Sequence, residues 1–249
     1  MATKETFSMK MILICLVCNV FITTAYAEQR TLELFEIGKK SEKPVFMQKT
    51  QYEKEPGGIT KSMSTMFDAQ GNIVMTEQAR FKDDQLIEQT VENKQLGENY
   101  QLKVENQHLS FQTTVKKPDG KTEVKTDSDD IKPDQVFLSG PTAEPFLRAH
   151  WDDLYSKDLS LHVRFGILER GETVGFKFSR HKIIQENGKE IMVVRMRPTS
   201  PFLALLVDPS DLYFDVATQR LVHYRGRTPL VWNKNGKQKP FDSEIEYHY

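Results

Sequence analysis

The chain has 249 residues, with 34 Lys and Arg against 35 Asp and Glu, a formal charge of −1. So even a balance leaves no concentrated basic surface, which excludes the electrostatic footprint of a nucleic-acid-binding protein.

The first 27 residues read as a secretion signal. Lys4 and Lys10 give a positive start, and an apolar run over 11–22 is broken only by Asn19. Ala25-Tyr26-Ala27 then supplies the small-x-small pattern of a signal-peptidase site. The run is shorter than the roughly 20 residues a membrane span needs. The expectation is cleavage after Ala27 and a periplasmic or secreted protein over 28–249. No second apolar run of spanning length follows, so no transmembrane segment is expected in the mature chain. Both cysteines, Cys15 and Cys18, leave with the signal. Each follows a large residue, Ile14 or Val17, unlike the small residue that precedes a lipoprotein cysteine. A chain of this length can bury a core without disulfides. Small secreted animal domains usually carry them, and there is no Asn-x-Ser/Thr sequon. These features favour a bacterial exported protein.

The mature chain reads as strands joined by tight turns. Residues 31–38 read as a strand. Turn signals recur at Asp68-Ala69-Gln70-Gly71-Asn72, Lys82-Asp83-Asp84, Pro118-Asp119-Gly120, Asn187-Gly188 and Asn235-Gly236. Between them apolar and polar residues alternate, as in Tyr100, Leu102 and Val104, then Leu109, Phe111 and Val115. The same period runs through Leu161, Val163, Phe165 and Ile167, and through Phe241, Ile245 and Tyr247. This is the pattern of an antiparallel sheet with one wet face.

Helical signals are few. Thr142 is placed to cap a helix over 143–155, with Leu147, Trp151 and Leu154 forming one apolar stripe. A second short helix or apolar loop is expected over 201–207, closed by Asp208-Pro209. The acidic stretch 125–134 reads as a loop. The expected fold is mainly β: a long antiparallel meander in one domain, curled into an open or incomplete barrel around one or two short helices. The helix stripe would plug the concave side.

Candidate functional residues are judged by context. Phe202, Leu203, Leu205 and Leu206 either cap one barrel end as core or form a hydrophobic lid or patch. Glu77 interrupts an inward series of Ile73, Met75, Ala79 and Phe81. Arg195 and Arg197 share a strand face with Ile191 and Val193. Either these charges enter a partly wet cavity, or a bulge or register slip puts them outside. His150 and Asp153 share a helix face, but no third ligand accompanies them. The remaining histidines, His248 among them, stand singly, and Asp127, Asp129, Asp130 and Asp134 lack the glycine and glutamate of a calcium loop. No metal or cofactor is expected. No nucleophile elbow, no phosphate-binding glycine loop and no mature cysteine is present, so no catalytic residue is assigned and binding is favoured over catalysis. In 211–227, Asp215 is placed to bond the turn of a hairpin.

The hairpin phrase Tyr213-Phe214-Asp215, followed by Arg220-Leu221, is similar to the late strands of Lol-type periplasmic lipoprotein and lipid carriers. So is the layout of 33–248, a meander after a signal peptide. The chain departs from such carriers at its start, where 31–38 reads as a strand rather than a long helix. The resemblance implies a lipid or amphiphile held on a concave apolar face. Phe202, Leu205, Leu206 and Trp151 would be wall or lid, and Glu77, Arg195 and Arg197 the polar groups. The other readings are an envelope assembly protein that binds a protein partner, and a hydrolase with an unsigned site.

Overall fold

The computed structural model describes residues 28–40, 43–117, 119–234 and 237–249. The expected signal peptide lies outside the described residues, as does the Asn235-Gly236 turn. One sheet takes in fifteen strands.

The first eight run outward as successive hairpins: β1 (Glu28–Glu36), β2 (Phe46–Glu55), β3 (Ile59–Asp68), β4 (Ile73–Lys82), β5 (Gln85–Asn93), β6 (Glu98–Glu105), β7 (His108–Lys116) and β8 (Thr122–Asp130). The chain then crosses to the far edge with β9 (Val136–Leu138), α1 (Gly140–Ala149) and α2 (Trp151–Tyr155). It returns through β10 (Leu161–Ile167), β11 (Glu172–Glu186), β12 (Lys189–Pro198), α3 (Pro201–Leu206), β13 (Ser210–Asp215), β14 (Leu221–Lys234) and β15 (Lys237–His248). β15 pairs with β1, so the sheet order is 8-7-6-5-4-3-2-1-15-14-13-12-11-10-9. Every pairing is antiparallel except β9 with β10, which is parallel.

The edge strands β8 and β9 are joined by only residues 131–135. Such a link is short, so the sheet must curl until its edges approach. Side chains tie them: Thr173 on β11 donates to Asp129 on β8, and Arg164 on β10 reaches the same carboxylate at 3.4 Å. The sheet order nonetheless ends at β8 and β9, so the barrel stays open.

The turn chemistry is as the sequence implies. Asp68 Oδ1 accepts from the Gln70 and Asn72 amides, and Asn187 and Gly188 both take positive φ between β11 and β12. Asp215 Oδ1 accepts from the Thr218 amide in the β13–β14 turn. Pro229 cannot donate to a ladder, and it falls where the β14–β15 register shifts.

Two local expectations need correction. The acidic stretch is no loop: Asp127, Asp129 and Asp130 belong to the edge strand β8, because the hairpin from β7 continues in register to Asp130. The helix begins at Gly140, and Thr142 caps it from the third position, its Oγ1 accepting from the Ser139 amide at 3.0 Å.

The core falls into three clusters. One packs Leu147 and Leu154 of the helices against Phe178, Met192, Val194 and Phe214, with Trp151 against it. This is the expected helix plug. A second joins Leu32, Leu34, Phe46, Met66, Met75 and Phe241 at the middle of the sheet. A third joins Ala79, Phe81, Leu102, Leu109 and Phe111 with Ile131 and Leu168.

Candidate functional site: a polar lane on the concave face

Between the second and third clusters the same sheet face turns polar. Register places Arg30 opposite Thr50, Thr50 opposite Ser64, Ser64 opposite Glu77, Glu77 opposite Val91 and Val91 opposite Tyr100. Directly paired residues share a face, so these side chains form one row across six strands. Tyr52, Ser62, Ala79 and Gln89 make the adjacent row. Thr50 and Ser64 are buried and their hydroxyls lie 2.8 Å apart, with Gln48 Nε2 donating to both.

Glu77 is the centre of the lane. It is half-buried by surface area, and burial pushes its carboxyl up to about 7. Part of the side chain therefore stays accessible from the concave face. Gln89 Nε2 donates to Glu77 Oε1 at 3.1 Å and holds the carboxylate, an effect that opposes the burial shift. Gln89 is 5% exposed, and its own Oε1 has no hydrogen-bond partner among the described residues. Glu169, in the 3-10 turn Leu168–Arg170 after β10, lies within electrostatic reach and raises Glu77 further. Burial, then Glu98, raises Glu169 as well, although it keeps ample surface in contact with solvent. Glu169 therefore stands at the rim. The turn that carries it closes on Gly171 at φ 62, where a Cβ would meet Asp127 Oδ2 at 2.8 Å. Tyr100 donates its hydroxyl to Glu98.

The other end of the lane holds the cation. Arg30 Nη1 donates to Glu144 of α1 at 2.5 Å, and Nη2 donates to Tyr52. The guanidinium lies 5.2, 5.5 and 5.2 Å from the ring centres of Tyr52, Tyr247 and Tyr249. Burial opposes its charge, but Glu144 with Tyr52 and Tyr249 outweighs that and holds it protonated. Burial pushes the Tyr52 phenol up to about 12.

The residues singled out from the sequence do not converge. Glu77 takes its inward place. Arg195 and Arg197 lie on the opposite face from Met192, Val194 and Met196, and so from Glu77. Arg195 forms a two-point ion pair with Asp211 at 2.6 and 2.7 Å, and Arg197 is exposed. The inward reading failed because residues 191–194 are buried on both faces of β12, so alternation could not say which face was core. Trp151 is half-buried in the helix-plugged cluster, edge-on to Phe214 at 5.9 Å. Phe202, Leu205 and Leu206 are 70%, 86% and 66% exposed, which rules out the core-cap alternative. Only Leu203 on that helix turns partly inward.

Sequence reasoning missed Arg30, Tyr52, Gln89 and Glu144. Arg30 and Glu144 are 114 residues apart, and no local pattern reports that contact. Gln89 had a signal: it interrupts the apolar side of β5. Elsewhere, Glu33, Glu246 and His248 bring three ligand-type atoms within 4.8 Å of one another. His248 already lies 3.3 Å from Glu33, and Lys40 pairs with Glu246, so ion pairs account for the group. On the outward face, β4–β7 form an open depression of about 390 Å³ lined by neutral polar side chains such as Thr76, Gln78, Asn99 and Gln112.

No protein-family model matches the chain, and no curated protein matches it. Among solved structures, the chain is similar to a DUF1329 family protein from Desulfovibrio piger. Identity is 9%, with 91% of this chain and 85% of that one covered and a TM-score of 0.25. A superposition that loose supports no inference about this chain.

Proposed function

We propose that this is an exported, non-enzymatic binding protein that carries a lipid or other amphiphile in the recess of its concave face. The observation that carries this reading is the polar lane flanked by two apolar clusters. Ligand sites are mostly apolar with a few placed polar groups. The clusters around Met66 and Met75 and around Leu102 and Phe111 give walls for a chain. Glu77 and Gln89 give a place for a head group.

The exposed helix α3 fits a carrier that must meet a lipid leaflet. It lies against β12. At the foot of that strand Arg197 stands directly opposite Lys177, and neither has an ion-pair partner among the described residues. Apolar side chains beside free cations suit an anionic bilayer surface. The rival, a protein partner added at a sheet edge, is disfavoured by the charges of β8: Glu123, Lys125, Asp127, Asp129 and Asp130.

The test is native mass spectrometry of the full chain purified from a cell envelope, before and after organic extraction. A stoichiometric lipid released by extraction is the expected result. An unliganded mass that stays unchanged after incubation with vesicles of envelope lipids overturns the reading.

A further inference from the structure

We propose that the recess selects a ligand bearing a cationic nitrogen, an ammonium or guanidinium, which sits between Glu77, Gln89 and Glu169. The proposal rests on the binding reading above and names the chemistry of its ligand.

Acceptors are in excess here and positive charge is lacking. At this point of the lane the protein presents the Glu77 carboxylate, the Glu169 carboxylate and the unpaired Gln89 Oε1. Against these stand one amide N–H donor, Gln89 Nε2, and the hydroxyls of Ser64 and Tyr52, none of which brings positive charge. Turning the Gln89 amide over would set its oxygen against the carboxylate, so it would not cure the shortage while Glu77 is ionised. An unpaired acceptor buried this deeply is unfavourable until something donates to it.

Positive charge is equally short. Arg30 faces the same lane but is taken by Glu144 and Tyr52. Among the described residues, neither Glu77 nor Glu169 forms an ion pair. Glu98, the next carboxylate, is occupied by the Tyr100 hydroxyl. A ligand carboxylate or phosphate entering here would meet three acidic side chains. A protonated amine would supply donors and charge together.

The partners of Glu77 and Ala79 across the β3–β4 ladder are Ser64 and Ser62, so the face beside the carboxylate is made of small side chains. The apolar clusters on either side would take the hydrocarbon part of such a ligand.

Titration follows from the same groups. Those facing Glu77 are Tyr52 of β2, Gln89 of β5, Glu98 and Tyr100 of β6, and Glu169 of the turn after β10. None is a cation. A bound cation favours ionised Glu77, so binding requires loss of the Glu77 proton below about pH 7 and weakens as pH falls.

The experiment uses the full mature chain and three probes of one chain length, dodecylamine, dodecanol and dodecanoate, by calorimetry at pH 8 below their micelle concentrations. Dodecylamine should bind at least about tenfold tighter than dodecanoate, and Glu77→Gln should cut that preference about tenfold, the scale of one charge-assisted bond. Glu169→Gln, at the solvent-facing rim, should reduce it with no change in the circular dichroism spectrum. Equal binding of the three probes, or a preference that survives both substitutions, overturns the proposal and leaves the carrier reading standing. Magnesium or calcium binding abolished by Glu77→Gln, with no amine preference, also overturns it. Failure of every probe to bind sinks the carrier reading itself.

Discussion

The two halves of the sheet hide the same face in different ways. In the half from β9 to β14, two short helices lie on the concave side, and Leu147 and Leu154 meet Phe178, Met192 and Phe214 in a cluster whose members are almost fully buried. In the half from β1 to β8, Thr50, Ser62, Ser64, Glu77 and Gln89 occupy the face between the two remaining clusters, and the turn Leu168–Arg170 and Glu144 of α1 reach toward it. Where a helix supplies an apolar partner, the strands are apolar. Between the second and third clusters they carry hydroxyls and a carboxylate. A sheet needs apolar residues only where something apolar covers them, and the polar lane is the stretch of this face that belongs to no apolar cluster.

The largest expected effect tests the packed half. Leu147→Ala removes a buried side chain from between helix and sheet and should destabilise the fold by about 2–5 kcal/mol in urea unfolding. Ser62→Ala in the lane removes one hydroxyl with little change of volume and should cost less than about 1 kcal/mol. Equal losses at the two positions would mean that both halves are packed alike.

The next effect belongs to Glu77. Its folded carboxyl sits at about 7, against 4.5 for the ordinary group. A carboxyl raised by folding binds its proton more tightly in the native state. It therefore adds no penalty below about pH 4.5, and stability falls as pH rises toward 7, by at most about 3 kcal/mol. The value of about 7 already includes the opposing bond from Gln89. Glu77→Gln should flatten this part of the profile and leave the protein more stable than wild type at pH 8, as read by thermal unfolding across pH 4–8. An unchanged profile would place Glu77 in free solvent and remove the recess.

Much of this was legible from residue order, and the part that was not has a physical cause. Alternation with Asn-Gly, Asp-Gly and Asp-rich turns reports strands and hairpins because both are local. The helix plug was legible because Leu147, Trp151 and Leu154 repeat at helical spacing. Glu77 was legible because its neighbours on one face are apolar. Arg195 misled because Ile191, Met192, Val193 and Val194 are all buried, so period-two reasoning had no outer face to lean on. The Arg30–Glu144 pair and the jump from β8 to the far edge were invisible, since both depend on how the sheet curls rather than on any neighbour in sequence.

The smallest effect on stability comes from α3, and it sharpens the comparison most. Phe202, Leu205 and Leu206 belong to neither half of the core. Leu205 is 86% exposed, so Leu205→Glu should change the unfolding free energy by no more than about 0.5 kcal/mol. A core residue in either half would lose several times that. The same substitution adds negative charge and removes apolar surface on a helix that lies against the strand carrying Arg197. It should therefore lower sedimentation with anionic vesicles several-fold, while neutral vesicles are bound weakly by both proteins. If Leu205→Glu unfolds the protein, α3 is core and the sheet has a third covered region. If stability and vesicle binding both stay unchanged, the apolar side chains of α3 serve neither the fold nor a membrane, and the carrier reading must rest on the recess alone.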